Sequence, residues 1–299
     1  MTSRREFLKS TGALAVASSM PVVAEGDGVP KLDTRPIPGT DETLPIVGLG
    51  NARPFSEGDL ELTRQLLDIF MSRGGTYLDA SGRGRFTIGE VMRERGAQNL
   101  LFPGTYASST GADAVRDELH RVRHAYGDEI LDLVVTRNIN DFVARADDYR
   151  ALKEEGITRY IGVARHQQRF HETMMELMEA NAVDFVQVNY SLMEPEAEQR
   201  LLPMAQDKGV AVLINRPFIN GEFFSIVRGH ELPEWAAEFD CDSWAQFSLK
   251  FILSHPAVNC VLTETANPKH AIDNLGAGVG GLPDLKTRQK MLELVQSFA

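Results

Sequence analysis

The sequence predicts a single α/β domain, a (β/α)8 barrel of the TIM type, on three observations. Short apolar runs recur along the chain, longer segments with helical spacing separate them, and glycines follow several of those segments. Continuous apolar runs separated by helices indicate parallel strands that are buried on both faces. Eight such runs, each followed by a helix, fit a closed barrel. A doubly wound open sheet is the alternative, but no G-x-G-x-x-G motif follows an early strand.

The predicted elements begin at about Leu44, so we place the barrel at residues 44–299 and an N-terminal lead-in at residues 25–43. The predicted strands are Ile46–Gly50, Tyr77–Asp79, Leu100–Pro103, Leu131–Thr136, Tyr160–Val163, Phe185–Val188, Val210–Ile214 and Cys260–Thr263. Between the first two strands, apolar side chains recur with helical spacing over residues 62–70. Gly74 then follows as the expected helix cap.

Composition and charge limit the classes of function. Hydrophobic residues make up 43% of the chain and charged residues 24%, which is typical of a globular domain. The formal net charge is −11, which would repel a phosphate backbone, so we exclude non-specific nucleic-acid binding. Cys241 and Cys260 are too few for a disulfide framework, although they could pair in an oxidising compartment. His120 and His124 lie four residues apart among arginines, which favours an exposed helix over a metal site.

The first 24 residues have the pattern of an export signal. Arg4 and Arg5 precede Phe7 and an apolar stretch from Ala13 to Met20, and small residues up to Ala24 form a cleavage site. The run resembles a twin-arginine signal, and its apolar stretch is too short to span a bilayer. We therefore predict a periplasmic protein that crosses the membrane already folded and meets it only during export.

In a barrel of this kind the chemistry sits at the C-terminal ends of the strands, and five of the eight predicted ends carry arginine. These arginines are Arg53, Arg83, Arg85, Arg137, Arg165 and Arg216. If they converge on one mouth, their guanidinium groups would bind a carboxylate or a phosphate through paired charge-assisted hydrogen bonds. The alternative is that they point outward and pair with surface carboxylates. We assign the first five to substrate or anion binding.

Motifs along nearly the whole chain after residue 35 occur together, in order, in one known family. The motifs are Ile46–Gly50, Gly75–Ser81, Ile157–Val163, Val183–Ser191, Gly209–Phe218, Phe251–Val258 and Asn267–Asn274. In these motifs the chain resembles the aldo/keto reductases. The resemblance implies a single barrel, binding of NADP or NAD without a Rossmann motif, and hydride transfer to an aldehyde or ketone.

The resemblance also implies a catalytic set, which this chain matches at one position of four. Asp79 matches the family's aspartate. The family's tyrosine would stand in the stretch Gly82–Arg85, which contains no tyrosine. The family's lysine is replaced by Tyr106, and its histidine is replaced by Arg137. Tyr106 and Tyr77 are the hydroxyl groups nearest in sequence, and we assign neither as the proton donor.

On the cofactor side, the resemblance implies contacts from several strand ends and from the last part of the chain. The predicted cofactor-binding residues are Gln187, Arg216, Thr265, Asp273 and Asn274. Gln187 matches the residue that holds the nicotinamide amide, whereas Arg216 stands where the family has an aromatic ring. Glu264 lies where a 2′-phosphate would bind and would repel it, so NAD is no less favoured than NADP.

Two hypotheses therefore remain open from the sequence. The first is an exported NAD(P)H-dependent reductase, with a degenerate catalytic set, that acts on a carbonyl substrate which could be anionic. The second is a barrel without redox chemistry that binds an anionic ligand at an arginine-lined mouth, either alone or as the partner of another exported protein.

Overall fold

The structure, a computed structural model, describes residues 28–127 and 130–298. The predicted export signal lies outside these residues. The strands are β1 (Thr34–Pro36), β2 (Thr43–Pro45), β3 (Val47–Leu49), β4 (Tyr77–Ala80), β5 (Phe102–Ala107), β6 (Leu131–Thr136), β7 (Thr158–Arg165), β8 (Phe185–Asn189), β9 (Ala211–Asn215) and β10 (Val258–Thr263). Strands β3 to β10 are parallel neighbours in chain order, and β10 pairs with β3. The predicted (β/α)8 barrel is thus confirmed.

Helices lie on the outside of the barrel between successive strands, and the last two follow β10. They are α1 (Arg53–Glu57), α2 (Leu60–Ser72), α3 (Gly84–Arg95), α4 (Ala112–Ala125), α5 (Ile139–Ala144), α6 (Ala146–Glu154), α7 (His171–Glu179), α8 (Leu201–Lys208), α9 (Glu222–Ile226), α10 (Trp244–Leu253), α11 (Pro268–Gly276) and α12 (Leu285–Gln296). Side-chain caps fix several of their starts, for example Asp59, whose carboxylate accepts from the Leu62 N–H and satisfies a free donor of the first turn. In the described ranges, none of these helices has both the length and the apolar character needed to cross a bilayer.

Strand β5 extends further than the sequence predicts. Pro103 and Gly104 both disfavour strands, so the predicted strand ends at Pro103. In the structure Pro103 lies opposite Leu78 of β4, and the strand continues to Ala107. Gly104 is needed there because a Cβ atom at this position would lie 2.5 Å from the Tyr77 hydroxyl oxygen. The extension places Tyr106 inside the strand, with its side chain in the barrel.

The N-terminal end of the barrel is closed by the antiparallel β1–β2 hairpin, which lies mostly in the segment predicted as a lead-in. Ile37 and Leu44 are buried in the same apolar cluster as the side chains that fill the barrel interior. The Arg35 guanidinium donates hydrogen bonds to the carbonyls of Leu253, His255 and Val258 at the start of β10. This hairpin therefore leaves the opposite end of the barrel as the place for a site.

Both cysteines are buried and free, and they do not pair. Cys241 precedes α10 on the outside of the barrel, where burial raises the pKa of its thiol to about 12. Cys260 lies in the barrel interior. In the two described ranges, no group of three or more His, Cys, Asp or Glu side chains could hold a metal ion.

Candidate active site

A cavity of about 710 Å³ lies at the C-terminal ends of the barrel strands. All the barrel strands except β3 contribute a polar side chain to it, either from the last residues of the strand or from the next residue. These polar residues are Asp79, Tyr106, Arg137, Arg165, His166, Gln187, Asn215, Arg216 and Glu264. Because the strands are parallel, their ends meet at one mouth, as expected for a catalytic site in this architecture.

Three hydrogen-bonded side chains form the floor of the cavity. The Tyr106 hydroxyl oxygen lies 3.0 Å from Asp79 Oδ2 and 2.6 Å from Gln187 Oε1. All three side chains are buried. Asp79 Oδ1 and Gln187 Nε2 have no hydrogen-bond partner, which leaves one acceptor and one donor for a ligand.

Asp79 holds its proton more tightly than an ordinary aspartic acid does. Burial raises the pKa of Asp79 to about 6, against 3.8 ordinarily, and the polar contacts with Tyr106, Gln187 and Arg137 lower it only in part. The family's lysine would supply a cation at this point, but here Tyr106 occupies that position. Asp79 is therefore a carboxyl group that changes its charge close to neutral pH.

Arg137 covers the Tyr106 side chain. The guanidinium carbon of Arg137 lies 4.2 Å from the centre of the Tyr106 ring, in the geometry of a cation–π contact. Burial and the nearby Asp79 carboxylate raise the pKa of Tyr106 well above its ordinary value, although Arg137 opposes this. Tyr106 consequently remains a neutral hydroxyl over the working range of proteins.

Arg165 and Arg216 carry positive charge into the mouth. The Nε atoms of both guanidinium groups are buried without a hydrogen-bond partner, and so is Asn215 Oδ1 beside them. Arg216 directly follows β9 with a φ of 52°, a left-handed backbone conformation that is uncommon for this residue type. Burial and Arg216 lower the pKa of His166, which lies at the same mouth. These unsatisfied donors favour an anionic ligand.

The segment after β9, which includes the short helix α9, adds an aromatic wall to the cavity. Phe218 and Phe224 line it, and their ring centres are 4.9 Å apart. Glu264, which directly follows β10, also lines the cavity, and it is exposed to solvent. Protein atoms that displace water from Glu264 raise its pKa to about 7, and the Asp79 charge adds to this effect.

Three of the five residues assigned to anion binding lie outside the cavity lining. Arg53, on α1, lies 3.7 Å from the Glu57 carboxylate and is largely exposed. Arg83 is exposed at the start of α3. Arg85 is buried, and its Nη1 donates to Glu118 Oε1 and to the Tyr106 carbonyl oxygen, each at 2.8 Å. The structure thus brings only Arg137 and Arg165 of this set together, with Arg216 beside them.

The predicted cofactor contacts are divided in the same way. Gln187 and Arg216 line the cavity, whereas Thr265, Asp273 and Asn274 lie on or near α11, away from its lining. The Asp273 carboxylate already accepts hydrogen bonds from Ser243 Oγ and Gln246 Nε2, at 2.9 and 2.8 Å, and so connects α11 to α10.

Sequence reasoning did not assign several residues that line the cavity: Tyr106, His166, Asn215, Phe218 and Phe224. A signal for three of them exists in the sequence. His166 and Asn215 are neighbours of arginines at predicted strand ends, and Tyr106 stands in the position of a family catalytic residue. The two phenylalanines lie in the segment after β9, Phe218 in the loop and Phe224 in α9, and the strand pattern does not predict the path of this segment.

Comparison with known proteins agrees with this architecture. The sequence profile described as "Aldo/keto reductase family" matches residues 113–286 of the chain. None of the curated proteins matches it.

Solved structures resemble the chain over most of its length. The aldo-keto reductase AKR11C1 from Bacillus halodurans, in its holo form, is 17% identical with a TM-score of 0.72, over 90% of this chain and 96% of that one. An aldo-keto reductase from Klebsiella pneumoniae in complex with NADPH is 18% identical with a TM-score of 0.66, over 89% and 95% of the two chains. At such low identity the likeness is one of fold.

Proposed function

The chain belongs to the aldo/keto reductase family, and from that premise we propose that it is an exported NAD(P)H-dependent oxidoreductase that reduces the carbonyl group of a small anionic substrate. The hydrogen-bonded floor of Asp79, Tyr106 and Gln187 carries this proposal, because it offers an acid and an unpaired amide at the base of a cationic cavity. The NADPH held by the solved Klebsiella pneumoniae relative supports the choice of cofactor.

The residues present fit a dinucleotide at two points. Gln187 Nε2 is a buried donor without a hydrogen-bond partner, so it could donate to the carboxamide oxygen of a nicotinamide ring. Phe218 and Phe224 offer aromatic surface in a site that lacks a ring at position 216. The bound cofactor would supply a hydride to the carbonyl carbon. Because Glu264 brings a carboxyl group to the mouth, we expect no strong preference for the 2′-phosphorylated form.

Asp79 is the proton donor in this proposal. Its Oδ1 atom has no hydrogen-bond partner, and the residue lines the cavity. An acid whose pKa is about 6 is protonated often enough near neutrality, yet gives up its proton readily. Tyr106 holds the carboxyl group in place through its hydroxyl.

Arg165, Arg216 and Arg137 select the substrate in this proposal. These three arginines line the same cavity as Asp79, so a carboxylate or phosphate on the substrate would face them while its carbonyl reaches Asp79. We expect a substrate that carries both groups on a short skeleton, such as a 2-oxo acid.

The test combines binding and turnover. Purified protein is titrated with NADPH and NADH by cofactor fluorescence, and oxidation of the cofactor is followed with glyoxylate, 2-oxoglutarate and a neutral aldehyde. We expect binding of at least one cofactor, and at least about tenfold higher kcat/KM for the anionic carbonyls, a difference that Arg165→Ala removes. Absence of binding at millimolar concentrations of both cofactors would refute the proposal.

Export is tested separately. Replacement of Arg4 and Arg5 by lysine should retain the protein inside the cell, and the mature N-terminus of the exported parent should lie near Ala24. An unprocessed parent that stays inside the cell contradicts this part of the proposal.

A second function is favoured by one observation, the replacement of the family's lysine and histidine by Tyr106 and Arg137. In this alternative the cationic cavity binds a carboxylate or phosphate ligand without turnover. Thermal shift with such anions in the absence of cofactor tests it. Stabilisation that Arg137→Ala and Arg216→Ala abolish, together with no oxidation of NADPH or NADH, would favour this alternative.

A further inference from the structure

The Tyr106 hydroxyl lies between two oxygen atoms that both accept hydrogen bonds. Asp79 Oδ2 is 3.0 Å away and Gln187 Oε1 is 2.6 Å away. A phenol has a single hydrogen to donate. One of its two neighbours must therefore act as a donor, since two oxygens at 2.6 Å without a hydrogen between them repel each other.

Only two arrangements satisfy all three side chains. If Asp79 carries a proton, it donates a hydrogen bond to the Tyr106 oxygen, and the Tyr106 hydroxyl donates to Gln187 Oε1. The Gln187 NH2 group then has no hydrogen-bond partner in the site. If Asp79 is ionised, Tyr106 donates to the carboxylate, and Gln187 must turn its NH2 group to the Tyr106 oxygen. The turn exchanges the two ends of the amide, so its oxygen takes the place of the unpartnered NH2 group and becomes the atom that a ligand in the cavity meets.

We infer that Tyr106 is a positioning residue that couples the protonation of Asp79 to the orientation of the Gln187 amide. A ligand in the cavity thus meets a hydrogen-bond donor at Gln187 when Asp79 is protonated and an acceptor when Asp79 is ionised. The coupling concerns the chain without ligand, and only the identity of the ligand rests on the proposed function.

Other groups around Asp79 also respond to pH or carry charge. On the surrounding elements they are Tyr77, Tyr106, Tyr126, Arg137, Cys260 and Glu264. At the mouth they are Arg165, His166 and Arg216. Burial raises the pKa of the three tyrosines and of the cysteine, so these stay neutral. Glu264 and His166 are the groups whose titration has to be separated from that of Asp79.

The coupling has a direct consequence for binding. An acceptor such as a carboxamide oxygen or a carboxylate binds the exposed NH2 group of Gln187, so its affinity falls as pH rises through the pKa of Asp79, about 6. The loss of one hydrogen bond corresponds to a change of about three- to tenfold in affinity. In reductive turnover, Asp79 would hold its proton in the same state that binds the acceptor. That proton lies on Oδ2 toward Tyr106 in the empty cavity, and it would pass to a carbonyl from Oδ1, the oxygen without a partner.

NMR of the unliganded full chain tests the coupling. Side-chain NH2 signals are followed from pH 4.5 to pH 8 in protein labelled with 15N-glutamine, and Asp79 in protein labelled with 13C at the aspartate carboxyl. The signals are assigned by their loss in Gln187→Glu and Asp79→Asn. We expect the Gln187 NH2 signals to shift with the same midpoint as the Asp79 carboxyl carbon.

Two variants decide whether Tyr106 carries the coupling. In Tyr106→Phe the Gln187 signals should no longer follow Asp79, although Asp79 still titrates, and in Asp79→Asn they should be independent of pH. Glu264→Gln and His166→Gln are matched controls that should keep the transition. Backbone amide spectra confirm that each variant is folded, and Tyr106→Trp replaces Tyr106→Phe if that variant is not.

Several outcomes overturn the inference. They are Gln187 signals that stay fixed while Asp79 titrates, a transition that persists in the Tyr106 variant, or one that disappears in Glu264→Gln. Complete absence of NADPH and NADH binding would refute the proposed function, while the NMR result would still decide the coupling.

Discussion

Replacing Asp79 with asparagine should stabilise the protein at high pH. The pKa of this buried carboxyl is raised to about 6 from an ordinary value of 3.8, so the folded chain binds more protons than the unfolded chain between these values. Stability then falls as pH rises from the lower pKa to the higher one, and stays reduced above it. A shift of about two units corresponds to about 3 kcal/mol. Asparagine cannot ionise, and the variant avoids this loss.

Urea denaturation at pH 4 and pH 8 measures the effect. We expect Asp79→Asn to exceed the parent at pH 8 by up to about 3 kcal/mol, and to differ from it by less than about 1 kcal/mol at pH 4. Asp117→Asn, on the exposed face of α4, is the matched control and should not change the pH dependence. A variant no more stable than the parent at pH 8, or an equal difference at both pH values, would refute the reasoning.

Three further substitutions test the supports of the site by urea denaturation. Arg85→Ala leaves the Glu118 carboxylate buried without its cation, so this variant should lose about 3–5 kcal/mol of stability. Arg165→Ala, the comparison, should lose less than about 1 kcal/mol. Similar losses for both variants would contradict a structural role for Arg85. Arg35→Ala removes the donor to three backbone carbonyls at the closed end of the barrel, so this variant should lose about 2–4 kcal/mol of stability. An unchanged urea midpoint would mean that these hydrogen bonds do not stabilise the β1–β2 hairpin against the barrel. Gly104→Ala pushes a methyl group against the Tyr77 hydroxyl and should lose about 1–3 kcal/mol, and a neutral result would show that Tyr77 has room to move.

The strand pattern predicts the barrel because burial on both faces imposes it directly on the sequence. Each predicted strand from Ile46–Gly50 to Cys260–Thr263 overlaps an observed one. The error at β5 has a local cause, since Pro103 and Gly104 are poor strand residues, and the need for glycine at position 104 comes from the Tyr77 side chain on the neighbouring strand β4. Contacts between strands distant in sequence are not visible in a local pattern.

Whether an arginine reaches the cavity depends on its distance in sequence from the end of the preceding strand. Arg137 and Arg216 directly follow the last residues of β6 and β9, and Arg165 is the last residue of β7, so all three reach the mouth. Arg53 and Arg85 lie further along the chain on helices, where Glu57 and Glu118 are within reach. Sequence position therefore predicts the first group well, whereas the second depends on carboxylates that the fold brings close.

The β1–β2 hairpin closes one end of the barrel, so the cavity is reached from the opposite end. Arg35, Ile37 and Leu44 lie at the closed end, whereas Arg165 and Arg216 line the cavity above Asp79, so in the described part of the chain a ligand approaches Asp79 from the side of these arginines. A molecule at the floor must therefore arrive before one that fills the mouth, and depart after it. If two ligands are used in one turnover, the shape of the cavity, and not their relative affinities, sets the order in which they bind.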